Sequence, residues 1–500
     1  MIKRIARTGG NQSELGAGGR SRPLTATRCS RALNSSAVAD FRPRWFGCYA
    51  VLLLAAMASS GTAMAQQKTG PGVPADDSLT WQGITLYGVV DLGIQYDTHS
   101  APFTPYRPAA SGNIVRSNSA GSVLGVTPSN MGQSRIGLQG NEPLSETWTA
   151  VFQAEAFFNP QSGQLADSLK SLTVNNGRAL SAQSVGVDGS SAGQLLQTGY
   201  VGLKSAQFGA LTFGRQVTLL QEGTIKYDPN YNATAFGLLG ASNTYSGGGD
   251  NEDNRFDSTA KYAVSINRLL HFGALYKFNG ASGSANTAFQ ADIGTDFSGA
   301  SIDAYYSKVN SAISAASLSA TQVATIPSTY QVSNSVYGTI SDNTAYAVMG
   351  LYKLDPYKFF AGYEYIRYVN PATPLSAGYS DIGGYVLAFV NNTAYDNAKI
   401  LQVYWAGLRY SLTHHLDLTA AYYGVHQNAY GTGTQADCSS AAHGTCSGNL
   451  EAISLDADYR FNVHFDAYLG AMYSQVQDGL ASGYLNTTNI NPTVGVRFKF

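Results

Sequence analysis

Seven histidines, a pair of cysteines and one acidic run are the residues of this 500-residue chain with the plainest capacity for chemistry. Nucleophilic catalysis needs a nucleophile, a histidine and an orienting group within mutual reach. His99, His271, His414, His415, His426, His443 and His464 stand in no such motif context. Cys438 and Cys446 flank His443 in "DCSSAAHGTCSG". Two thiolates and one histidine without C-x2-C spacing make a poor zinc set, so one loop disulfide between Cys438 and Cys446 is the simpler reading. "DNEDN" (Asp250–Asn254) lacks the residue order of a calcium loop and reads as a solvated acidic stretch. No catalytic set, metal or cofactor is expected. What remains is charge, spread singly along alternating segments, and its chemistry is to attract, repel and orient solutes.

Those charges must be held by strands. In "ITLYGVVDLGIQYD", Leu86, Val90, Leu92 and Ile94 share one face while Thr85, Asp91, Gln95 and Asp97 share the other. The last residues, "NPTVGVRFKF", alternate in the same way: Val494, Val496, Phe498 and Phe500 against Thr493, Gly495, Arg497 and Lys499. Period-two alternation marks a strand with two different environments. Sixteen such segments are expected from Ile84 to the end. Their connections alternate long and short, with long Gly/Ser/Asn-rich stretches near 98–131, 159–194, 218–254, 310–343, 369–397, 427–449 and 477–488 and a shorter one near 280–285.

Composition excludes several classes. Charged residues are 13% of the chain, about half the roughly 25% of soluble domains. The only long apolar run, in "CYAVLLLAAMASSGTAMAQQ", is followed by an A-x-A site, so residues 1–65 read as an export leader with a long n-region, 66–83 as a short mature segment and 84–500 as the folded domain. Without residues 1–65 the chain carries 22 basic against 30 acidic residues, the opposite of a nucleic-acid footprint.

A strand crosses a bilayer in about 9–11 residues. In lipid, strands survive only as a closed barrel, because every backbone amide needs a partner. Short turns on one side and long loops on the other are the mark of an outer-membrane barrel. The fold class is therefore all-β, a 16-stranded antiparallel transmembrane barrel, with Tyr96, Tyr262, Tyr306, Tyr368 and Tyr410 among its expected interfacial aromatics. A barrel of about 16 strands leaves a water-filled lumen. Asp91, Arg135, Glu155, Arg255, Asp257, Lys261 and Asp303 are among the expected inward set.

"TLYGVVDLGI", "SRIGLQGNEPLSETWTAVFQAE", "GYVGLKSAQFGALTFGRQ" and the terminal "GVRFKF" resemble, in order, the strands of the general porins of Gram-negative outer membranes, especially the beta-proteobacterial branch; the resemblance covers about residues 81–500. It implies passive diffusion of small hydrophilic solutes through a homotrimer set in outer-membrane lipid and lipopolysaccharide, and a terminal Phe500 read by the barrel assembly machinery. It also implies a third loop, here about 218–254, folded into the lumen. Loop carboxylates Glu222, Asp228, Asp250, Glu252 and Asp253 would then face basic wall residues, with Arg135 and Arg255 at two wall positions, Lys261 beside them, and Gln197 where a third arginine often sits. A substrate-selective channel and a plugged adhesive barrel are the alternatives.

Overall fold

The computed structural model describes residues 79–106, 113–189, 191–241, 254–267, 269–280, 286–436 and 443–500. The expected leader and the acids Asp250, Glu252 and Asp253 lie outside the described residues.

Sixteen strands close into one antiparallel barrel. They are β1 (Ile84–Ser100), β2 (Gly121–Pro128 and Arg135–Pro143), β3 (Trp148–Asn159), β4 (Thr198–Ser205), β5 (Gly209–Val217), β6 (Arg255–Ile266), β7 (Leu270–Lys277) and β8 (Ala288–Phe297). The circuit continues through β9 (Ala300–Ala316), β10 (Ser335–Leu354), β11 (Tyr357–Val369), β12 (Lys399–Ser411), β13 (Leu416–Gln427), β14 (Gly448–Arg460), β15 (Phe465–Asp478) and β16 (Thr488–Ile490 and Thr493–Lys499). β16 pairs with β1 from Val89↔Lys499 to Gln95↔Thr493, and Gly88 and Phe500 exchange backbone hydrogen bonds of 2.9 and 3.1 Å just beyond that ladder. The terminal alternation is thereby explained. Val494, Val496 and Phe498 are 44–54% exposed on the outer wall, while Thr493, Arg497 and Lys499 are under 10% exposed on the inner one.

Several expected loops are shorter than the sequence suggests. β9 runs to Ala316 and β10 starts at Ser335, so the loop expected over 310–343 contracts to 317–334. The first half of β2, Gly121–Pro128, lay within an expected loop. Strand ends that stand above the bilayer need no apolar face, so period two fades there although pairing continues. Tyr96 and Tyr262 are exposed outward at 41% and 39%. Tyr368 corrects the expectation for it: it is buried on the inner side and stacks on Tyr395 of the loop after β11.

β2 is interrupted at residues 129–134. Asp91 seals the break, accepting from the Met131 and Gly132 amides at 2.6 and 3.0 Å and from the Tyr468 hydroxyl at 2.5 Å. Fully buried, Asp91 is on the lumen side of its strand but does not line the aperture.

Candidate functional site: a constriction between the third loop and a basic wall

The third loop enters the lumen through helix α1 (Leu219–Tyr227). Thr218 caps it, its hydroxyl accepting from the Gln221 amide at 3.2 Å, which satisfies one of the free N–H groups at a helix start. Leu219, Leu220 and Tyr227 are buried on one face and share an apolar cluster with Tyr305, Ala347 and Met349 of the opposite wall. The chain then creeps along that wall. Trp405 donates to the Tyr227 carbonyl at 2.9 Å and Arg409 to the Pro229 carbonyl at 3.0 Å. The Asn230 amide reaches the Phe236 carbonyl, Tyr423 and Ser454 at 2.8, 3.1 and 3.0 Å. Finally the Ala235 amide donates to the Asn130 carbonyl at 2.9 Å, in the break of β2. Loop 3 thus clings mainly to β7–β16 and touches the β2–β6 side through Asn130 and Lys261.

The inner face of β2–β6 is basic. Arg135 on β2 and Arg255 at the start of β6 share Glu155 of β3, at 3.2 and 3.8 Å, and Tyr87 donates to the same carboxylate at 3.0 Å. The tyrosine ring lies over Gly137, where an added Cβ would collide with it. Arg255 also lies over the Phe157 ring, 4.5 Å from its centroid. On β5, Arg215 pairs with Asp257 at 2.6 Å and donates to the Gln197 carbonyl at 3.1 Å. Lys261 meets Glu222 of α1 at 2.5 Å, closing one end of the gap between loop and wall.

Of the expected residues, the structure sets Arg135 and Arg255 on a shared Glu155 and pairs Lys261 with Glu222. Two expectations need correction. Gln197 is 1% exposed, and it braces Arg215 rather than standing in for a wall arginine; Arg215 is the third arginine. Asp228 does not face the wall either. It is fully buried beneath loop 3, accepting from Tyr423 at 2.6 Å and from the Asn232 amide at 2.7 Å. Cys446 is disulfide-bonded, and Cys438 lies outside the described residues. No group of three or more potential metal ligands occurs among the described residues.

Burial pushes the Asp228 carboxyl up to about 6, outweighing hydrogen bonds from Tyr423 and from the Asn232 and Asn230 amides. A carboxyl raised in the docked loop binds a proton that an undocked one, at its ordinary value, has already released. Docking is thus favoured below pH 4 and loses that contribution as pH rises from about 4 to about 6. Open-channel current noise is expected to be greater at pH 7 than at pH 5. The Asp228→Asn variant is expected to show no such difference.

The family model described as Gram-negative porin matches residues 50–479. An outer membrane porin protein of Bordetella pertussis is 28% identical over 199 residues, 39% of this chain and 43% of that protein, so the match spans less than half of the relative's length. Among solved structures, an anion-selective porin from Comamonas acidovorans superposes with a TM-score of 0.54 at 15% identity, covering 83% of this chain and 99% of that one. OmpT of Vibrio cholerae, in a trimer form, gives 0.50 at 14% identity, again over 83% of this chain and 99% of its own.

Proposed function

Because the chain belongs to the Gram-negative porin family, we propose that it is an outer-membrane pore for passive diffusion of small hydrophilic solutes, narrowed between loop 3 and the arginine wall and preferring anions. One observation carries the reading: among the described residues Arg135, Arg215 and Arg255 cluster on the wall with only Glu155 and Asp257 paired to them, while Lys261 is matched by Glu222. The surplus of positive charge sits in a narrow space with low-dielectric walls, where fields are focused and poorly screened. Anions are drawn in, and dipolar solutes turn as they pass. The likeness to a porin described as anion-selective agrees with this preference.

By the same reading the protein assembles as a homotrimer, in keeping with the trimeric neighbour, sits among outer-membrane lipid and lipopolysaccharide, and presents Phe500 to the barrel assembly machinery. Proteoliposome swelling tests the pore directly. Sugars of graded mass are expected to enter at rates that fall steeply with size, and gluconate is expected to enter faster than a cationic solute of similar mass. No swelling with any solute, from folded protein, would leave a plugged barrel. Saturable entry of a single sugar would favour a substrate-selective channel.

A further inference from the structure

We propose that the outer wall of β9–β11 carries a binding site for the phosphate groups of an anionic outer-leaflet glycolipid, formed by Lys308 and Arg367. The inference rests on the outer-membrane reading above.

Lys308, Thr344 and Arg367 are register partners in one row across the three strands. Alternation fixes which way they point: Ser307 and Val309 flanking Lys308, and Ile366 and Tyr368 flanking Arg367, are all buried on the inner side. The two cations therefore face out of the barrel. With strands about 4.8 Å apart, their Cα atoms are about 10 Å apart, and both long side chains can converge on one phosphate or hold two neighbouring ones. Arg367 is exposed and Lys308 half-buried. Among the described residues neither has a hydrogen-bond or ion-pair partner.

The level of this row is the second observation. The next outward row toward the bilayer centre is Tyr306, Tyr346 and Tyr365, with the first two rings 5.4 Å apart and Phe289 packed beside them at 6.2 Å. Beyond it come Ala304, Val348 and Tyr363, then Ile302, Gly350 and Ala361. An aromatic row of this kind marks the interface between hydrocarbon and head groups. The long loops place these strand ends on the outer side. One step past the aromatic row, the two cations stand at the depth of the lipid phosphates. A lysine and an arginine on a lipid-facing wall are costly against hydrocarbon, and the carboxylate nearest this row at outward parity, Asp342, is buried and already taken by the Ser311 and Ala372 amides at 2.8 and 3.0 Å. A phosphate does so by charge-assisted hydrogen bonds.

The test is native mass spectrometry of the purified assembly with bisphosphorylated lipid A and with the same lipid dephosphorylated. Wild-type protein is expected to bind the phosphorylated lipid about thirtyfold more tightly than Lys308→Ala/Arg367→Ala does, taking a similar contribution from each basic residue near a charged lipid surface. Wild type is expected to lose the same factor with the dephosphorylated lipid. Equal binding by the two proteins, or no discrimination between the two lipids, overturns the proposal. So does dissociation of the double variant into smaller oligomers, because the row would then belong to a subunit interface. Conductance recorded on the same preparations keeps the two readings apart: an inactive but lipid-binding wild type would sink the pore and leave this site standing.

Discussion

Replacing Arg215 and Arg255 together by glutamate is expected to reverse the ion preference of the channel. The wild-type arginine cluster holds three cations and two carboxylates among the described residues; the double variant would hold one cation and four carboxylates. The Arg215→Gln/Arg255→Gln control lies between, with one cation and two carboxylates. In a tenfold salt gradient the zero-current potential is bounded at about 59 mV for a perfectly selective monovalent pore. The glutamate variant is expected to move from the anion side of zero to the cation side, and the glutamine variant to stop between. Both arginines are on the inner wall with 11% and 14% of their side chains exposed, and neither contributes to the strand ladder through its side chain, so the barrel should still assemble. An unchanged potential in the glutamate variant would mean that the narrowest part of the pore lies elsewhere.

The second large effect is expected from cutting loop 3 loose. Asn230 and Tyr423 form the centre of its anchorage: the Tyr423 hydroxyl donates to Asp228 and accepts from Asn230, which also reaches Ser454 and the Phe236 carbonyl. All four of Asp228, Asn230, Tyr423 and Ser454 are buried. Leaving a buried polar group without its partner costs about 1–3 kcal/mol. Asn230→Ala and Tyr423→Phe share partners, so their effects will not simply add. The loss falls on the loop, not on the ladder of 16 strands. Single-channel conductance is expected to rise in the double variant, with frequent transitions between levels, while the melting temperature of the barrel in detergent stays close to wild type. A variant with unaltered, quiet conductance would show that these bonds do not hold the aperture.

The barrel was legible in the sequence because lipid demands an apolar outer face at every spanning strand. Val494, Val496 and Phe498 announce that face as clearly as the structure does. The site was legible only in part. Arg135 and Lys261 fall on the inward parity of regular strands. Arg215 does not: it shares the parity of Leu211 and Phe213, which are 42% and 50% exposed on the outer wall. A register shift between Gly214 and Gln216, opposite Phe256–Thr259, breaks the alternation and re-aims the side chain. Bulges do this by inserting residues that have no partner across the ladder. Gly214 at φ +138° and Ser258 at φ +53° mark the spot. The glycine in "FGRQ" was the available signal for an interruption, but a strand glycine alone does not say which way the next side chain turns. Asp228 was misplaced for another reason. An acid in a polar loop looks solvated, and only the fold shows the tyrosine and backbone amides waiting to bury it.

The central claim is that a net-positive gap between loop 3 and the β2–β6 wall governs passage. Reversal potential of the wild-type protein in a planar bilayer, under a potassium chloride gradient, tests it most directly. Large ohmic conductance steps with a potential of the sign set by chloride are the predicted result. Ohmic steps with a potential set by potassium would contradict it, shifting control of the pore from the arginine wall to carboxylates such as Asp250, Glu252 and Asp253 of the same loop.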